Sequence, residues 1–171
     1  MILNLSGEIV EESVEKLIGG VNGLYNRNGE KLFIYFTSEG GSVSVTSAMI
    51  DIINQNVDLI ELVGYGELFS AGFNLFFKSK CNKILLSNSI GMCHISYMNV
   101  EINENLKLAD PYGLALKKSF KKEKLITEAF CKSLGMTSKE MNSVLKGKDA
   151  YFDYSRMLEL MNYQKANGEH L

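Results

Sequence analysis

The apolar residues of the chain follow two different periodicities. Apolar runs too short to form helices predict strands, and they occupy residues 2–5, 31–36, 57–62, 83–87 and 90–93. Apolar positions spaced three and four residues apart predict amphipathic helices, and these cover residues 10–26, 43–55, 71–78, about 112–134 and 153–163. Because strand and helix alternate through the first ninety residues, the pattern predicts an α/β fold with a largely parallel sheet. The nearly continuous run at 31–36 is typical of a strand buried on both faces.

Local signals mark element boundaries in the second half of the chain. Pro111 is the only proline, and a proline suits the first turn of the long helix that follows it. Gly135 is a typical helix stop. Residues 137–140, Thr-Ser-Lys-Glu, have the capping-box pattern that starts a helix. We interpret residues 146–153 as a loop between two helices.

Composition places the chain among ordinary globular proteins. Its 171 residues are 46% hydrophobic, which fits one domain over residues 1–171 with a sizeable core. The net charge of -2 argues against a nucleic-acid-binding protein. We expect neither a membrane span nor a signal peptide, because no apolar run is long enough and the start lacks a basic region.

Cysteines and lysines add little specific chemistry. The three cysteines, Cys81, Cys93 and Cys131, lack metal-ligand spacing and suit a reducing, cytoplasmic setting. Five lysines cluster in the long helix, where nearby glutamates indicate a solvated face rather than a binding patch. They are Lys117, Lys118, Lys121, Lys122 and Lys124.

Ser70 carries the strongest chemical signal, because it lies between a predicted strand and a predicted helix. A serine nucleophile needs a neighbouring base, and the base needs a third group that holds its tautomer. His94, which follows an apolar run, can be the base, and Asp149 or Asp153 can be the third group. The glycine pair at 40–41 and the N–H of a helix start can donate hydrogen bonds to an oxyanion.

Each of these residues also has a commoner structural explanation. A serine at a helix start is often an N-cap, a lone histidine is often part of the core, and Gly-Gly often makes a turn. Cys93 is an alternative nucleophile, but its side chain points to the face opposite that of its strand neighbour His94. His170, in the C-terminal tail, is expected to be exposed and not catalytic.

The order of these segments resembles the proteolytic subunit of the Clp protease. The family's Asn-Ser-Pro-Gly-Gly-Ser-Val segment is similar to residues 37–43. Its Gly-Gln-Ala-Ala-Ser-Met-Gly nucleophile segment is similar to residues 66–72, and its Pro-Asn-Ser-Arg-x-Met-Ile-His segment to residues 87–94. Residues 148–152 resemble the segment with the triad aspartate, and residues 2–9 resemble the first core strand.

This resemblance implies a fold and a set of site residues. The fold would be of the ClpP/crotonase type, with repeated β-β-α units and a largely parallel sheet. Ser70 would be the nucleophile, His94 the general base and Asp149 the group that orients His94. The N–H groups of Gly41 and Ala71 would form the oxyanion hole.

It also implies an activity and an assembly. The chain would be a serine endopeptidase that cleaves unfolded polypeptides without a cofactor or metal. It would form a homo-oligomeric ring, with the helix at about 112–134 as a projecting handle between rings. A ring-shaped ATPase unfoldase is a possible partner, although the family's N-terminal axial loop has no counterpart in this sequence.

The sequence departs from the family pattern at several positions. Glu39 replaces the proline before Gly-Gly, Glu-Leu-Phe at 67–69 replaces small residues, and Ala150 replaces an arginine that pairs across rings. The segment around residues 97–108 is longer than usual. Two other functions therefore stay open: a catalytically weak or inactive scaffold or ring partner, and a crotonase-type acyl-CoA enzyme that would use a carboxylate such as Glu67.

Overall fold

A computed structural model describes residues 1–24, 27, 30–95 and 111–168, the side chains of 111–117 excepted. The predicted extension at 97–108 and His170 lie outside these residues. The chain divides into two compact units, Met1–Cys93 with Tyr151–Leu171, and His94–Ala150.

The secondary structure alternates as the sequence predicts. The strands are β1 (Ile2–Ser6), β2 (Leu32–Ser38), β3 (Ile60–Phe69), β4 (Asn82–Leu85), β5 (Ile90–Cys93) and β6 (Ala150–Phe152). The helices are α1 (Glu11–Leu24), α2 (Val43–Gln55), α3 (Ala71–Lys78), α4 (Pro111–Ser133), α5 (Ser138–Leu145) and α6 (Tyr154–Ala166).

The strands form one sheet in the order β1-β2-β3-β5-β6, and β4 pairs with β3. β1 pairs with β2, β2 with β3, and β3 with both β4 and β5, all in parallel. The predicted α/β fold with a largely parallel sheet is therefore confirmed. In a parallel sheet the carboxyl ends of neighbouring strands lie at one edge, so the residues that follow β2, β3 and β5 come from the same edge.

Helix α3 is the most deeply buried helix of the first unit. The rings of Phe73, Phe76 and Phe77 are inaccessible to solvent. Phe73 stacks on Phe152 of β6 with ring centroids 5.5 Å apart. Burying each such ring contributes about 1.5–3 kcal/mol, so this packing fixes the helix firmly against the sheet.

Two strand predictions need correction. β2 is not buried on both faces, because buried and half-buried residues alternate along it, as in a strand whose second face is only partly covered. β3 begins at Ile60 rather than Val57, because residues 56–59 form a turn in which the Leu59 N–H donates to the Asn56 carbonyl. The strand then continues to Phe69 through Gly64 and Gly66, which interrupt the apolar pattern.

The prediction of a loop at 146–153 is wrong in part, because this segment contains the strand β6. This strand has only three residues, which are too few for alternating apolar and polar positions to reveal it in the sequence. Its inward residues, Ala150 and Phe152, are buried, and Tyr151 between them is exposed.

The second unit confirms the predicted helix start at residue 137. The Thr137 hydroxyl accepts a hydrogen bond from the Glu140 N–H, and the Glu140 carboxylate accepts one from the Thr137 N–H. Four of the clustered lysines of α4 have described side chains, and all are exposed, as predicted for a solvated face. They are Lys118, Lys121, Lys122 and Lys124.

Candidate active site

Ser70 occupies a sharp turn between β3 and α3 in the first unit. Its backbone has φ 53° and ψ -116°, and it is the only non-glycine residue with positive φ among those described. Such a conformation costs about 1–3 kcal/mol and is concentrated at functional sites. The Ser70 N–H donates to the Met92 carbonyl of β5 at 2.8 Å, which holds the turn to the neighbouring strand.

Ser70 does not act as a helix cap. Although it is the residue before α3, its side chain makes no capping hydrogen bond to the helix. By contrast, Ser42 caps α2 by accepting from the Val45 N–H. The commoner structural explanation for a serine at a helix start therefore applies to Ser42 and not to Ser70.

Of the glycine pair after β2, Gly40 lies against Ser70 and Gly41 against Ile9. A Cβ on Gly40 would fall 2.9 Å from the Ser70 Cβ and 3.4 Å from its Oγ. A Cβ on Gly41 would fall 2.4 Å from the Ile9 carbonyl oxygen. Both glycines have positive φ, 123° and 138°, so no other residue fits either position without displacing its neighbour.

Two backbone amides near this turn have no hydrogen-bond acceptor within the part of the chain that the structure describes. Among the hydrogen bonds of the described residues, none uses the N–H of Gly41 or of Ala71. Ala71 is the first residue of α3, where the N–H has no partner within the helix. The Gly40 N–H is instead engaged, because it donates to the Ser38 hydroxyl at 3.0 Å. Gly41 and Ala71 are the two residues for which the resemblance implies oxyanion binding.

His94 and Asp149 come together in the second unit. The His94 Nδ1 lies 3.3 Å from the Asp149 Oδ1, and the two side chains are 35% and 45% exposed. At this distance the hydrogen bond is long. In the first unit, Asp153 is used differently, since its Oδ1 accepts from the Arg156 N–H and caps α6. Of the two aspartates considered from sequence, Asp149 is the one that meets the histidine.

The residues that depart from the family pattern differ in their exposure. Glu39 and Glu67 are exposed, so Glu67 is also not in the enclosed setting that a carboxylate acid–base group would use. Leu68 is fully buried in the core. Phe69 packs edge-to-face on Tyr151 with ring centroids 6.0 Å apart.

The side chains of all three cysteines are buried, and Cys93 is 2% exposed. Burial raises the pKa of Cys81 to about 11. Within the described ranges, no three His, Cys, Asp or Glu side chains are grouped as a metal ion would need. No helix in those ranges is both long and apolar enough to cross a membrane.

Ser38 belongs to the segment at 37–43, but no role for it was predicted from the sequence. Its hydroxyl accepts from the Gly40 N–H and donates to the Gly40 carbonyl at 3.1 Å. The sequence feature that could have indicated this role is a serine two residues before a glycine at the end of a strand. Serine hydroxyls often form hydrogen bonds with the backbone of the residue two positions further along the chain.

Comparison with known proteins agrees with this fold. The family model described as Clp protease matches residues 1–143. Among solved structures, a point mutant of ClpP1 from Listeria monocytogenes is similar, with a TM-score of 0.68 and 19% sequence identity over 95% of this chain and 86% of that chain. A search of curated proteins finds no match. Because the family match covers 143 of the 171 residues, this chain belongs to the Clp protease family.

Proposed function

We propose that this protein is a serine endopeptidase in which Ser70, His94 and Asp149 form the catalytic triad. The observation that carries the proposal is the strained backbone of Ser70. The Ser70 side chain makes no capping hydrogen bond to α3, and it lies against Gly40. A stabilising role would not require positive φ at a serine. A nucleophile at a strand-to-helix turn would, because the turn presents its Oγ to a substrate.

In the acylation step, the Ser70 Oγ attacks the scissile carbonyl while His94 takes the hydroxyl proton. The His94 Nδ1 faces Asp149, so Nε2 is the nitrogen that acts as the base. The Asp149 carboxylate stabilises the imidazolium that forms. The C–N bond then breaks, the amine leaves with the proton from His94, and Ser70 stays acylated.

The oxyanion of the tetrahedral intermediate is bound by the N–H groups of Gly41 and Ala71. Their lack of other acceptors within the described structure supports this role. Each such donor typically lowers the barrier by about 2.7–4 kcal/mol. Water then attacks the acyl-enzyme with His94 again as base, which releases the acid product and restores Ser70.

Membership of the Clp protease family supports the remaining parts of the proposal. The substrate is unfolded polypeptide, the protein acts in the cytoplasm, and the active form is a homo-oligomeric ring. The exposed lysine face of α4 fits a helix that extends into solvent or toward another ring. A ring-shaped ATPase unfoldase is the partner that would supply substrate.

Labelling with a fluorophosphonate probe tests the proposal directly. We expect one phosphonyl group per chain, located on Ser70 by peptide mass spectrometry and absent from Ser70→Ala. Ser87→Ala is the matched control, because Ser87 is an exposed serine in the turn between β4 and β5. Folded protein that does not react, or labelling that persists in Ser70→Ala, would refute the proposal.

A non-catalytic ring partner is the second candidate. The exposure of Asp149 and its long distance to His94 favour it, because a triad carboxylate is usually buried and closely bonded to its histidine. The same labelling experiment separates the two candidates. A ring partner would assemble normally, as measured by light scattering, and would give no labelled Ser70.

A further inference from the structure

Ser38 closes the end of β2 with two hydrogen bonds to one glycine. Its Oγ accepts from the Gly40 N–H at 3.0 Å and donates to the Gly40 carbonyl at 3.1 Å. The same carbonyl also accepts from the Ile9 N–H at 2.7 Å. Ser38 is only 2% exposed, so water does not compete for these bonds.

These contacts fix the direction of the next amide. The Gly40 carbonyl and the Gly41 N–H belong to one peptide group, and in a trans peptide they point in opposite directions. No cis peptide occurs among the described residues. Because Ser38 and Ile9 both hold the carbonyl oxygen, the Gly41 N–H is directed away from them.

Ser38 also lies against the helix that starts at the nucleophile. A Cβ on Gly72 would fall 2.9 Å from the Ser38 carbonyl oxygen and 3.0 Å from the Ser38 Cβ. One buried residue thus contacts both the glycine turn and the first turn of α3. Ser38 therefore lies next to both residues that precede or follow the two candidate oxyanion donors, Gly40 before Gly41 and Gly72 after Ala71.

We propose that Ser38 is a positioning residue, which holds the Gly40–Gly41 peptide so that the Gly41 N–H binds the oxyanion. This inference rests on the proposed serine endopeptidase function. Without the hydroxyl, the glycine peptide keeps only the Ile9 hydrogen bond, and two positive-φ glycines rotate easily. The amide would then spend part of its time turned away from the substrate.

The test is the kinetics of Ser38→Ala on a fluorogenic peptide. Outright loss of an oxyanion donor lowers kcat by about 10²–10³, so a loosened donor should lower kcat by about tenfold to hundredfold. KM should change by less than about threefold, because the hydrogen bond to Gly41 strengthens mainly in the transition state. The pH–rate profile should keep its inflections, since His94 and Asp149 are untouched.

Ser79→Ala is the matched control. Ser79 is equally buried, and its hydroxyl donates to the Leu75 carbonyl at the opposite end of α3. It should lose stability as Ser38→Ala does and keep its kcat. If Ser38→Ala does not fold, Ser38→Cys fills nearly the same space, and its weakly bonding thiol should still lower kcat about tenfold.

The outcomes separate the two proposals. If wild-type Ser70 does not react with the fluorophosphonate, the proposed function fails and the role of Ser38 fails with it. If the wild type reacts and folded Ser38→Ala or Ser38→Cys keeps kcat within about twofold, only the role of Ser38 is refuted. An equal loss of kcat in Ser79→Ala would also refute it, because general loosening of α3 would then explain the effect.

Discussion

The imidazole of His94 meets the carboxylate of Asp149 through Nδ1 and Oδ1 at 3.3 Å, although the two residues are 55 positions apart. Asp149 stands immediately before β6, and His94 immediately follows β5. β5 and β6 are neighbours in the sheet. The contact therefore depends on a strand of only three residues.

Asp149→Asn should lower kcat substantially with little change in KM. A carboxylate only accepts a hydrogen bond, so it keeps the proton on Nδ1 and leaves Nε2 as the base. An asparagine side chain can either donate to Nδ1 or accept from it, so it no longer fixes this tautomer. A fully buried triad aspartate contributes about 10⁴ in kcat. Asp149 is 45% exposed, so we expect a loss of about 10²–10³, measured on the same fluorogenic peptide.

Asp153→Asn is the control for that change. It makes the same substitution four residues later, at a side chain that caps α6. Asparagine caps as well as aspartate, so both kcat and the unfolding midpoint should be nearly unchanged. Equal losses of kcat in the two variants would contradict a specific role for Asp149.

Alanine substitutions at two glycines should have opposite effects. In Gly40→Ala the new Cβ would fall 2.9 Å from the Ser70 Cβ, and φ is 123°, so the turn must deform. We expect lost fluorophosphonate labelling and a destabilisation of about 2 kcal/mol or more. In Gly19→Ala, within α1, nothing lies within 4 Å of the new Cβ, so the helix should gain about 0.5–1 kcal/mol.

Chemical unfolding curves and labelling of both glycine variants would check this pair. A Gly40→Ala protein that folds and labels at the wild-type rate would show that the glycine turn is not held against Ser70. A destabilised Gly19→Ala protein would show instead that close packing against α1 requires the glycine.

The sequence predicted most of the fold because its helices carry clear periodicity and boundary signals. The bounds of α2, α3 and β5 were predicted correctly, and the capping box at Thr137 gave the start of α5. The failures occurred where the signal is short or interrupted. Glycines interrupt the apolar pattern in the second half of β3. β6 has three residues, which are too few to show an alternation of apolar and polar positions.

The site was only partly predictable for a different reason. The resemblance suggested Ser70, His94, Asp149, Gly41 and Ala71, but residue order cannot reveal backbone strain or the direction of an amide. The positive φ of Ser70 and the two bonds from Ser38 to Gly40 are three-dimensional facts. They arise from the parallel pairing of β2 and β3 and from the close approach of the two turns.

Glu39→Gln should leave kcat within about twofold of the wild type. Glu39 is exposed, so water and salt screen its charge from an oxyanion bound at the next glycines. The measurement is kcat at low and at high ionic strength, with Glu67→Gln, another exposed carboxylate, as the control. A large rise in kcat that appears only in Glu39→Gln, and mainly at low salt, would show that Glu39 opposes the oxyanion.

Lys83 should make the free energy of unfolding depend on pH above about pH 7. Burial lowers the pKa of Lys83 to about 7; Cys81 opposes this shift and Lys165 adds to it. The Lys83 Nζ donates to the Ser79 and Phe77 carbonyls at 2.8 and 3.3 Å. A neutral amine has two N–H groups, so it can make both bonds without burying a charge.

The direction of this pH dependence follows from the number of protons that the folded and unfolded states bind. An unfolded lysine has a pKa near 10.4, so between about pH 7 and 10 the unfolded chain holds a proton that the folded chain lacks. Lys83 alone should therefore raise the free energy of unfolding with pH across this window, by up to about 1.4 kcal/mol per pH unit, and this contribution should level off below about pH 7. Cys81 acts in the opposite direction above about pH 8.5, because its folded pKa is raised to about 11 while an unfolded thiol titrates near 8.5, so the effect of Lys83 is the difference in slope between the wild type and Lys83→Met.

Urea unfolding of wild type, Lys83→Met and Lys80→Met at several pH values from 6 to 10 measures this effect, with reductant present. Methionine keeps the apolar stem of lysine and removes its proton, so Lys83→Met should lose the extra slope. Lys80 is exposed, and its substitution should shift the free energy of unfolding by the same amount at every pH. If the wild type and Lys83→Met run parallel from pH 7 to 10, Lys83 keeps its proton in the folded protein, and the charge at the end of α3 is stabilised by the two carbonyls.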